Sequence, residues 1–350
     1  MSVLPPPAIW LFDPSQMRVP SGRDSFPFRF LVGETITGIC YTVQNVLKEG
    51  RAYQLLRVTN KQLGHVKVVR VLDRARVSED NMRNEITWLT DPQTSDGRHA
   101  EFIEDQRDTF RHYIFFTHEG RTLKDVLADS TIHLTKRHIR EIGMQLIRAV
   151  RKLCLDNVAL IDSGHVSEVI YTAEGNFVSR DVLRSTKIRI LYYGAVGAED
   201  SRGVGVDQYR APELIYGMRR HEKTDTFSLG CIMFELWTGL ALIPPCQPGP
   251  LYRRDKTIAF DAVLGPFSDA LIRDIRACYR GPFRFSDGAP AVEWKVSFSL
   301  RSFSGQPPPL HDLIEDDDAL DLFESMLHLE VRQRVRLNDL FNHPFFCASD

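Results

Sequence analysis

The chain has 350 residues, of which 43% are hydrophobic, and its formal net charge is −2. A chain of this length and composition can bury one large core or two smaller ones. Its near-neutral charge excludes a strong electrostatic attraction to nucleic acid or to a membrane surface, so we expect neither as a partner.

No uncharged apolar run approaches the ~18 residues of a membrane span, and the first residues lack the basic-then-apolar pattern of a secretory signal. Six cysteines are scattered through mostly apolar surroundings without Cys-x-x-Cys pairing: Cys40, Cys154, Cys231, Cys246, Cys278 and Cys347. This pattern favours buried free thiols in a reducing compartment. We therefore expect an intracellular protein, either cytoplasmic or nuclear.

The first part of the chain reads as strand-rich. Residues 1–26 contain many Pro, Ser and Gly residues and are interpreted as an N-terminal extension. Within residues 27–117, Val66–Val71 is a β-branched run and Tyr113–Phe116 is a second strand candidate. Ser78 can cap a helix between them. Three apolar residues follow it at helical spacing: Met82, Ile86 and Leu89.

The second part of the chain, residues 118–346, reads as mainly helical. An amphipathic helix is predicted over 138–153 and a strongly apolar one over 225–238. Carboxylates are favoured at helix N-termini, so the acidic run 315–318 is interpreted as a helix start rather than a metal site. Residues 281–311 are rich in Gly, Pro and Ser and predict a loop-rich insertion.

The most informative motif is Tyr-Arg-Ala-Pro-Glu at 209–213, followed by Asp225–Gly230. Together they resemble the substrate-side core of a eukaryotic protein kinase. The arginine that follows the tyrosine in this motif resembles the sequence found in the CMGC group, and residues 258–266 resemble the corresponding segment of its LAMMER and SR-protein kinase branch. The resemblance runs from about residue 28 to 346. It implies an α+β, bilobal protein-kinase-like fold with a strand-rich N-lobe and a mainly helical C-lobe.

The candidate nucleotide-binding residues lie in the strand-rich part. Gly33 and Gly38 occupy the first and third places of G-x-G-x-x-G, with Thr35 at the second, although a plain hairpin turn explains this pattern equally well. Lys67 and Glu85 are predicted to point inward and to pair; the alternative is a lysine that reaches solvent and a solvated glutamate. The resemblance implies that the glycines approach the phosphates of ATP, that Lys67 contacts them and that Glu85 holds Lys67.

The metal ligands of the family are missing. Where the family carries Asp-Phe-Gly, this chain has Tyr192-Tyr193-Gly194. A neutral phenol is a poor ligand for magnesium. We therefore assign no metal ligand, do not expect magnesium, and expect any binding of ATP to be weak.

Two registers are open for the catalytic loop within residues 160–171. Counting forward from Leu153 places Asp162 at the position of the general base, with Gly164 replacing the loop lysine and Ser167 replacing the metal-binding asparagine. An aspartate at such a site is also a common turn or capping residue. Asp162 is therefore a catalytic candidate only if the protein is active.

The second register counts back from the strand at 169–171. It places Gly164 at the base position, Val166 at the lysine and Val169 at the asparagine. Neither register restores the catalytic set. Loss of a general base costs about 10²–10⁴-fold in rate, and loss of metal-based charge stabilisation adds several kcal/mol.

The residues that hold such a fold together are kept. The resemblance pairs Glu213 with Arg334 as a buried ion pair. Asp225 is expected to accept backbone N–H bonds at the start of the buried helix and to brace the loop around Gly164.

These observations predict a catalytically impaired pseudokinase that acts as a scaffold or allosteric partner of another protein. The alternative is an active, atypical Ser/Thr kinase that transfers the γ-phosphate of ATP to a protein substrate with Asp162 as base.

Overall fold

A computed structural model describes residues 29–36, 40–49, 53–60, 62–77, 79–90, 101–117, 120–149, 155, 158–171, 177–191, 208–243, 252–278, 285–286, 289–290 and 309–347. The chain divides into two compact units. The first comprises Met1–Gly120 with Arg189–Ser201, and the second comprises Arg121–Ile188 with Arg202–Asp350.

The first unit contains a six-stranded antiparallel sheet in the order β1-β2-β3-β4-β6-β5. In chain order the strands are β1 Thr35–Ile36, β2 Tyr41–Glu49, β3 Tyr53–Asn60, β4 Val66–Asp73, β5 Phe102–Arg107 and β6 Arg111–Thr117. Helix α1, Glu79–Thr90, lies between β4 and β5 in the sequence. The two predicted strands and the predicted helix are thus confirmed.

The sheet has a hydrophobic cluster on each face, because successive strand residues point to opposite sides. One cluster contains Phe30, Ile36, Tyr41, Val43, Leu56, Val58, Val69, Val71, Tyr113 and Phe115. The other contains Tyr53, Leu55, Val68, Leu72, Val77, Met82, Ile114 and Phe116, with Ile86 and Leu89 of α1 partly buried against it. Helix α1 therefore covers only the second face.

Helices make up most of the second unit. They are α2 Leu123–Ala128, α3 Lys136–Ala149, α4 Pro212–Ile215, α5 Thr224–Thr238, α6 Tyr252–Leu264, α7 Asp269–Cys278, α8 Leu310–Leu313, α9 Asp317–Leu327 and α10 Pro344–Cys347, with a 3₁₀ helix at Leu337–Asn342. Helix α5 is apolar on nearly all sides and packs against α3 and α9.

Two glycines allow these helices to approach closely. A Cβ atom at Gly143 of α3 would lie 2.8 Å from Cε of Met233, and one at Gly230 of α5 would lie 2.8 Å from Cδ2 of Leu327. Both distances are well below van der Waals contact, so larger residues at these positions would displace the neighbouring side chains.

The second unit also carries short strands. They are β7 Ile132–His133, β8 Val158–Leu160, β9 His165–Tyr171 and β10 Phe177–Leu183, together with the small hairpin β12 Phe285–Ser286 and β13 Ala289–Pro290. Strand β11, Ile188–Ile190, begins with the last residue of this stretch of the second unit and continues into residues assigned to the first. A three-stranded sheet has the order β7-β10-β9, in which β10 is antiparallel to β9 and parallel to β7.

The predicted α+β, protein-kinase-like fold is confirmed, with a strand-rich first unit and a mainly helical second unit. Three helices predicted in the second part are also confirmed as α3, α5 and α9. Asp316 caps α9 by accepting a 2.9 Å hydrogen bond from the backbone N–H of Ala319, so the acidic run does start a helix. Helix α3 ends at Ala149, and residues 150–153 lie outside the described residues. Most of the predicted insertion at 281–311 also lies outside them.

The expectation of mostly buried thiols is wrong for the four cysteines that the structure describes. Cys231 is buried in α5, but Cys40, Cys278 and Cys347 are exposed. Each of these three lies at or near the end of an element, where an apolar sequence neighbourhood does not enforce burial. Among the described helices, none is long and apolar enough to cross a membrane.

Candidate functional site

Gly33 lies in a tight turn that precedes β1. Its φ is +90°, in the left-handed region that favours glycine. The N–H of Gly33 donates to the carbonyl of Val43 at 2.9 Å, and the N–H of Glu34 donates to the carbonyl of Leu31 at 3.1 Å. Turn geometry therefore explains this glycine, and both amides are already used inside the protein. Gly38 lies outside the described residues.

Lys67 lies in β4, and its ammonium group has partners within the first unit. Nζ is 3.0 Å from Oε1 of Glu104 on β5, and it lies 5.4 Å from the ring centroids of both Tyr41 and Phe115. Burial acts to lower the pKa of Lys67, but hydrogen bonds to Tyr41 and Glu104 outweigh it and raise the pKa above its ordinary value. The lysine is therefore charged and held against the sheet.

The cation of β4 that faces α1 is Arg70. Val68 and Leu72 belong to the cluster under α1, and Arg70, midway between them, points to the same face and is 1% exposed. Lys67 points to the opposite face. The backbone of Glu85 lies in α1, but its side chain is outside the described set. The predicted Lys67–Glu85 pair stays a prediction, and no described contact supports it.

The sequence shows that Arg70 shares a strand face with apolar residues, but it does not show which face α1 covers. Arg70 stands two residues from each of two apolar residues in one strand, which is the spacing of a shared face. The family motif, by contrast, predicts that the inward charge is that of Lys67. Because successive strand residues lie on opposite faces, an error of one residue in the register of β4 would exchange the faces assigned to Lys67 and Arg70.

Asp162 follows β8, and both oxygens of its carboxylate accept hydrogen bonds, although 38% of its side chain is exposed. Nε of Arg184 donates to Oδ2 at 2.8 Å, Nη2 donates to Oδ1 at 2.9 Å, and the N–H of Gly164 also donates to Oδ1 at 2.9 Å. The hydrogen bonds from Arg184 and then from Gly164 lower the pKa of Asp162 below its ordinary value. Asp162 is thus an ionised turn residue in a bidentate ion pair.

Gly164 is confined by the same ion pair. A Cβ atom on this residue would lie 2.8 Å from Nη2 of Arg184 and 3.0 Å from Oδ1 of Asp162. Its carbonyl accepts a 2.9 Å hydrogen bond from the N–H of Arg184. Gly164 therefore belongs to a loop that is closed by Arg184, a residue that the sequence analysis did not single out.

The remaining candidates for the catalytic loop lie in β9. Ser167 donates to Oδ1 of Asp181 at 2.6 Å, whereas Val166 and Val169 are exposed apolar residues. In the described part of the chain, no three His, Cys, Asp or Glu side chains are grouped so that they could hold a metal ion. Tyr192, the residue in place of the metal-binding aspartate, lies outside that part.

Glu213 and Arg334 form the predicted buried pair. Nη1 of Arg334 is 2.9 Å from Oε1 of Glu213, and Nη2 is 3.0 Å from Oε2. Both side chains are essentially inaccessible, at 0% and 1% exposure. The other guanidinium donors reach the carbonyls of Lys223, His328 and Leu329. The pair therefore connects the start of α4 to the chain that follows α9, as the sequence analysis expected.

The expectation that Asp225 accepts backbone N–H bonds at the start of the buried helix is wrong, because the described contacts contain no such bond. Both of its oxygens accept from Nη2 of Arg220, at 2.9 and 3.2 Å. Helix α5 begins one residue earlier, at Thr224, so Asp225 lies inside the first turn and its carboxylate turns toward the preceding loop. The described contacts give no support to a brace at Gly164.

Tyr209, which opens the Tyr-Arg-Ala-Pro-Glu motif, is anchored on α5. Its hydroxyl donates to Oε2 of Glu235 at 2.9 Å, and its carbonyl accepts from the hydroxyl of Ser228 at 2.8 Å. This segment of the family core is thus held firmly in place.

Comparison with known proteins agrees with these motifs. The family profile described as "Protein kinase domain" matches residues 48–346. The Arabidopsis thaliana serine/threonine-protein kinase AFC1 is 25% identical over 363 residues, which cover 94% of this chain and 75% of that protein. The human dual specificity protein kinase CLK2 is 25% identical over 331 residues, which cover 87% of this chain but only 64% of that protein.

Solved structures support the fold. A crystal structure of a kinase domain matches with a TM-score of 0.64 at 15% identity and covers 91% of this chain and 98% of the matched one. The crystal structure of Rad53 in complex with AMP-PNP matches with a TM-score of 0.53 at 15% identity, covering 88% of this chain and 65% of that one. Since the profile spans most of the sequence, this chain belongs to the protein kinase domain family.

Proposed function

We propose that this protein is a catalytically impaired kinase domain that acts on another protein as a scaffold or allosteric partner. The observation that carries the proposal is the bidentate engagement of Asp162 by Arg184. A general base must be within hydrogen-bond reach of the substrate hydroxyl. With both carboxylate oxygens held internally, Asp162 serves the loop instead.

The nucleotide-binding residues support the same proposal. Lys67 is held by Glu104 at 3.0 Å, and the amides of Gly33 and Glu34 are hydrogen-bonded within the protein. Phosphate binding uses free backbone N–H groups, and in the family the lysine is held by the helix glutamate rather than by a neighbouring strand. The described residues therefore fit ATP poorly, which favours weak binding at most.

The sequence supports the absence of metal assistance. Tyr192 occupies the place of the aspartate that binds magnesium in the family, and neither Ser167 nor Val169 is a metal ligand comparable to asparagine. At the family's metal-binding positions, the sequence thus offers no carboxylate or amide for the ion that neutralises charge in phosphoryl transfer.

One observation favours the alternative of an active Ser/Thr kinase. Hydrogen bonds from Arg184 keep the pKa of Asp162 low, so the carboxylate is ionised at neutral pH, as a base must be. The relatives AFC1 and CLK2 are named as protein kinases. The active form would require Arg184 to release Asp162 when substrate binds.

A phosphotransfer assay separates the two functions. Wild-type protein, Lys67→Met and Asp162→Asn are given labelled ATP, magnesium or manganese, and either Arg/Ser-rich or generic peptides. We expect equal background transfer in all three. Transfer that falls at least ~10²-fold in a folded Asp162→Asn variant would establish the active kinase instead.

Thermal shifts with ATP test the nucleotide site separately. We expect a small shift that magnesium does not increase, because no carboxylate is offered to the ion. A large magnesium-dependent shift that is lost in Lys67→Met would overturn this part of the proposal.

A further inference from the structure

Arg70 is a buried cation on the face of the sheet that α1 covers. Only 1% of the residue is exposed, and a guanidinium group stays charged at every physiological pH. Its neighbours in register are Leu55 on β3 and Ile114 on β6, and both are buried and apolar. A charge that is taken out of water needs a partner of opposite charge. The residues directly opposite Arg70 do not supply it.

Asp105 of β5 also lies on this face, because it pairs in register with Ile114. Its Oδ2 is 2.8 Å from Nε2 of His112, which is itself buried. Strand β6 lies between β5 and the strand that carries Arg70. Asp105 therefore serves His112, and the remaining element on this face is α1.

Helix α1 contains three carboxylates, which are Glu79, Asp80 and Glu85. Glu79 and Asp80 are exposed, and Glu79 already pairs with Arg74 at 2.6 Å. Glu85 comes three residues after Met82, which is 2% exposed and packs against the sheet. Residues three apart lie on the same side of a helix. Of the three carboxylates, Glu85 is thus the one whose helix position faces the sheet.

We propose that Arg70 pairs with Glu85 and so holds α1 on the sheet. Arginine then stands in the role that the resemblance gives to Lys67. A guanidinium group can bind a carboxylate through two parallel N–H donors, and at 1% exposure these donors serve the helix rather than a phosphate. The pair does not depend on whether the protein transfers phosphate, so an active-kinase result would leave it standing.

Double-mutant cycles measured by chemical denaturation test the pair. Arg70→Met and Glu85→Gln each strand a buried charge, whereas the double variant strands none. We expect the equilibrium constant for unfolding of the double variant to be at least about tenfold smaller than the two single effects predict together. Lys67→Met combined with Glu85→Gln is the matched control, and its two effects should combine independently to within about twofold.

A third cycle combines Arg70→Met with Asp105→Asn, because Asp105 is the other carboxylate on this face. Its coupling should be weaker than that of the Glu85 cycle. Three results would each overturn the proposal: independent effects of Arg70→Met and Glu85→Gln, stronger coupling of Arg70 to Asp105 than to Glu85, or coupling of Lys67 to Glu85 as strong as that of Arg70.

Arg70→Lys replaces Arg70→Met in the cycles if the latter fails to fold, since it keeps the charge and loses only the paired donors. Hydrogen exchange of the α1 amides gives a second, local measurement. Exchange should be at least about fivefold faster in Glu85→Gln than in the wild type, because the helix loses its hold on the sheet. Glu79→Gln changes an exposed carboxylate of the same helix and should have little effect. Equal exchange in the two variants would contradict the proposal.

Discussion

Replacing Arg334 with Ala should destabilise the second unit severely. The substitution leaves the carboxylate of Glu213 buried at 1% exposure without its cation, which costs on the order of 3–5 kcal/mol. It also removes the donors to the carbonyls of Lys223, His328 and Leu329, each of which contributes about 0.5–1.5 kcal/mol. A total near 5 kcal/mol or more follows, against a typical domain stability of about 5–15 kcal/mol.

Thermal unfolding with a matched control measures this effect. A loss of about 5 kcal/mol corresponds to a fall of about 10–20 °C in melting temperature for a domain of this size. Arg336 is the control because it lies two residues away and pairs with Glu222 at 3.3 Å, with both side chains well exposed. An exposed pair contributes about 0–1 kcal/mol, so Arg336→Ala should shift the melting temperature by a few degrees at most.

A double variant guards against an Arg334→Ala protein that fails to fold. Glu213→Gln combined with Arg334→Met removes both charges, and it should be more stable than Arg334→Ala because no buried charge is stranded. The reasoning would be refuted by equal melting temperatures for Arg334→Ala and Arg336→Ala, or by a double variant less stable than Arg334→Ala.

Two further predictions concern the first unit. Arg70→Ala should lower the free energy of unfolding by about 2–5 kcal/mol, as expected for a large side chain deleted beneath α1. Lys67→Ala should lower it less, since the side chain of Lys67 is 16% exposed at the sheet surface. Chemical denaturation measures both variants, and an equal loss of stability would contradict the assignment of the two residues to different faces. Burial lowers the pKa of His112 below 6.5, although Asp105 acts to raise it, so its contribution to stability is complete above about pH 6.5 and is lost as the pH falls. Thermal unfolding as a function of pH should therefore show a smaller loss on acidification in His112→Gln than in the wild type, and parallel curves would contradict this.

Much of the fold was predictable from local pattern. The β-branched run in β4 and the acidic start of α9 each follow from propensity and capping rules that act within a few residues. The buried pair of Glu213 and Arg334 was recognisable because the family motif supplies both partners. The lobe boundaries at 27–117 and 118–346, and the cytoplasmic or nuclear location, stay predictions.

The candidate site was less predictable, because it depends on which face a side chain takes and which distant residue meets it. Arg184 is twenty-two residues from Asp162 and meets it through the hairpin of β9 and β10, and nothing in the sequence near either residue identifies the other as its partner. Lys67 and Arg70 occupy the same strand, and only the placement of α1 decides which of them faces the helix.

The two classes of ion pair in this molecule have different consequences for function. The pair of Glu213 and Arg334 is inaccessible, so it cannot be exchanged for a ligand without unfolding the segments that it joins, and stability is the property that it controls. The pair of Asp162 and Arg184 is partly exposed, so solvent screens it and a ligand that binds either partner can compete with it. Its role in function is therefore decided by phosphotransfer in Asp162→Asn rather than by stability. Tyr192 is an obstacle to catalysis of a different kind, because release of Arg184 would leave Asp162 able to accept a proton, whereas no rearrangement turns a phenol into the carboxylate that magnesium requires.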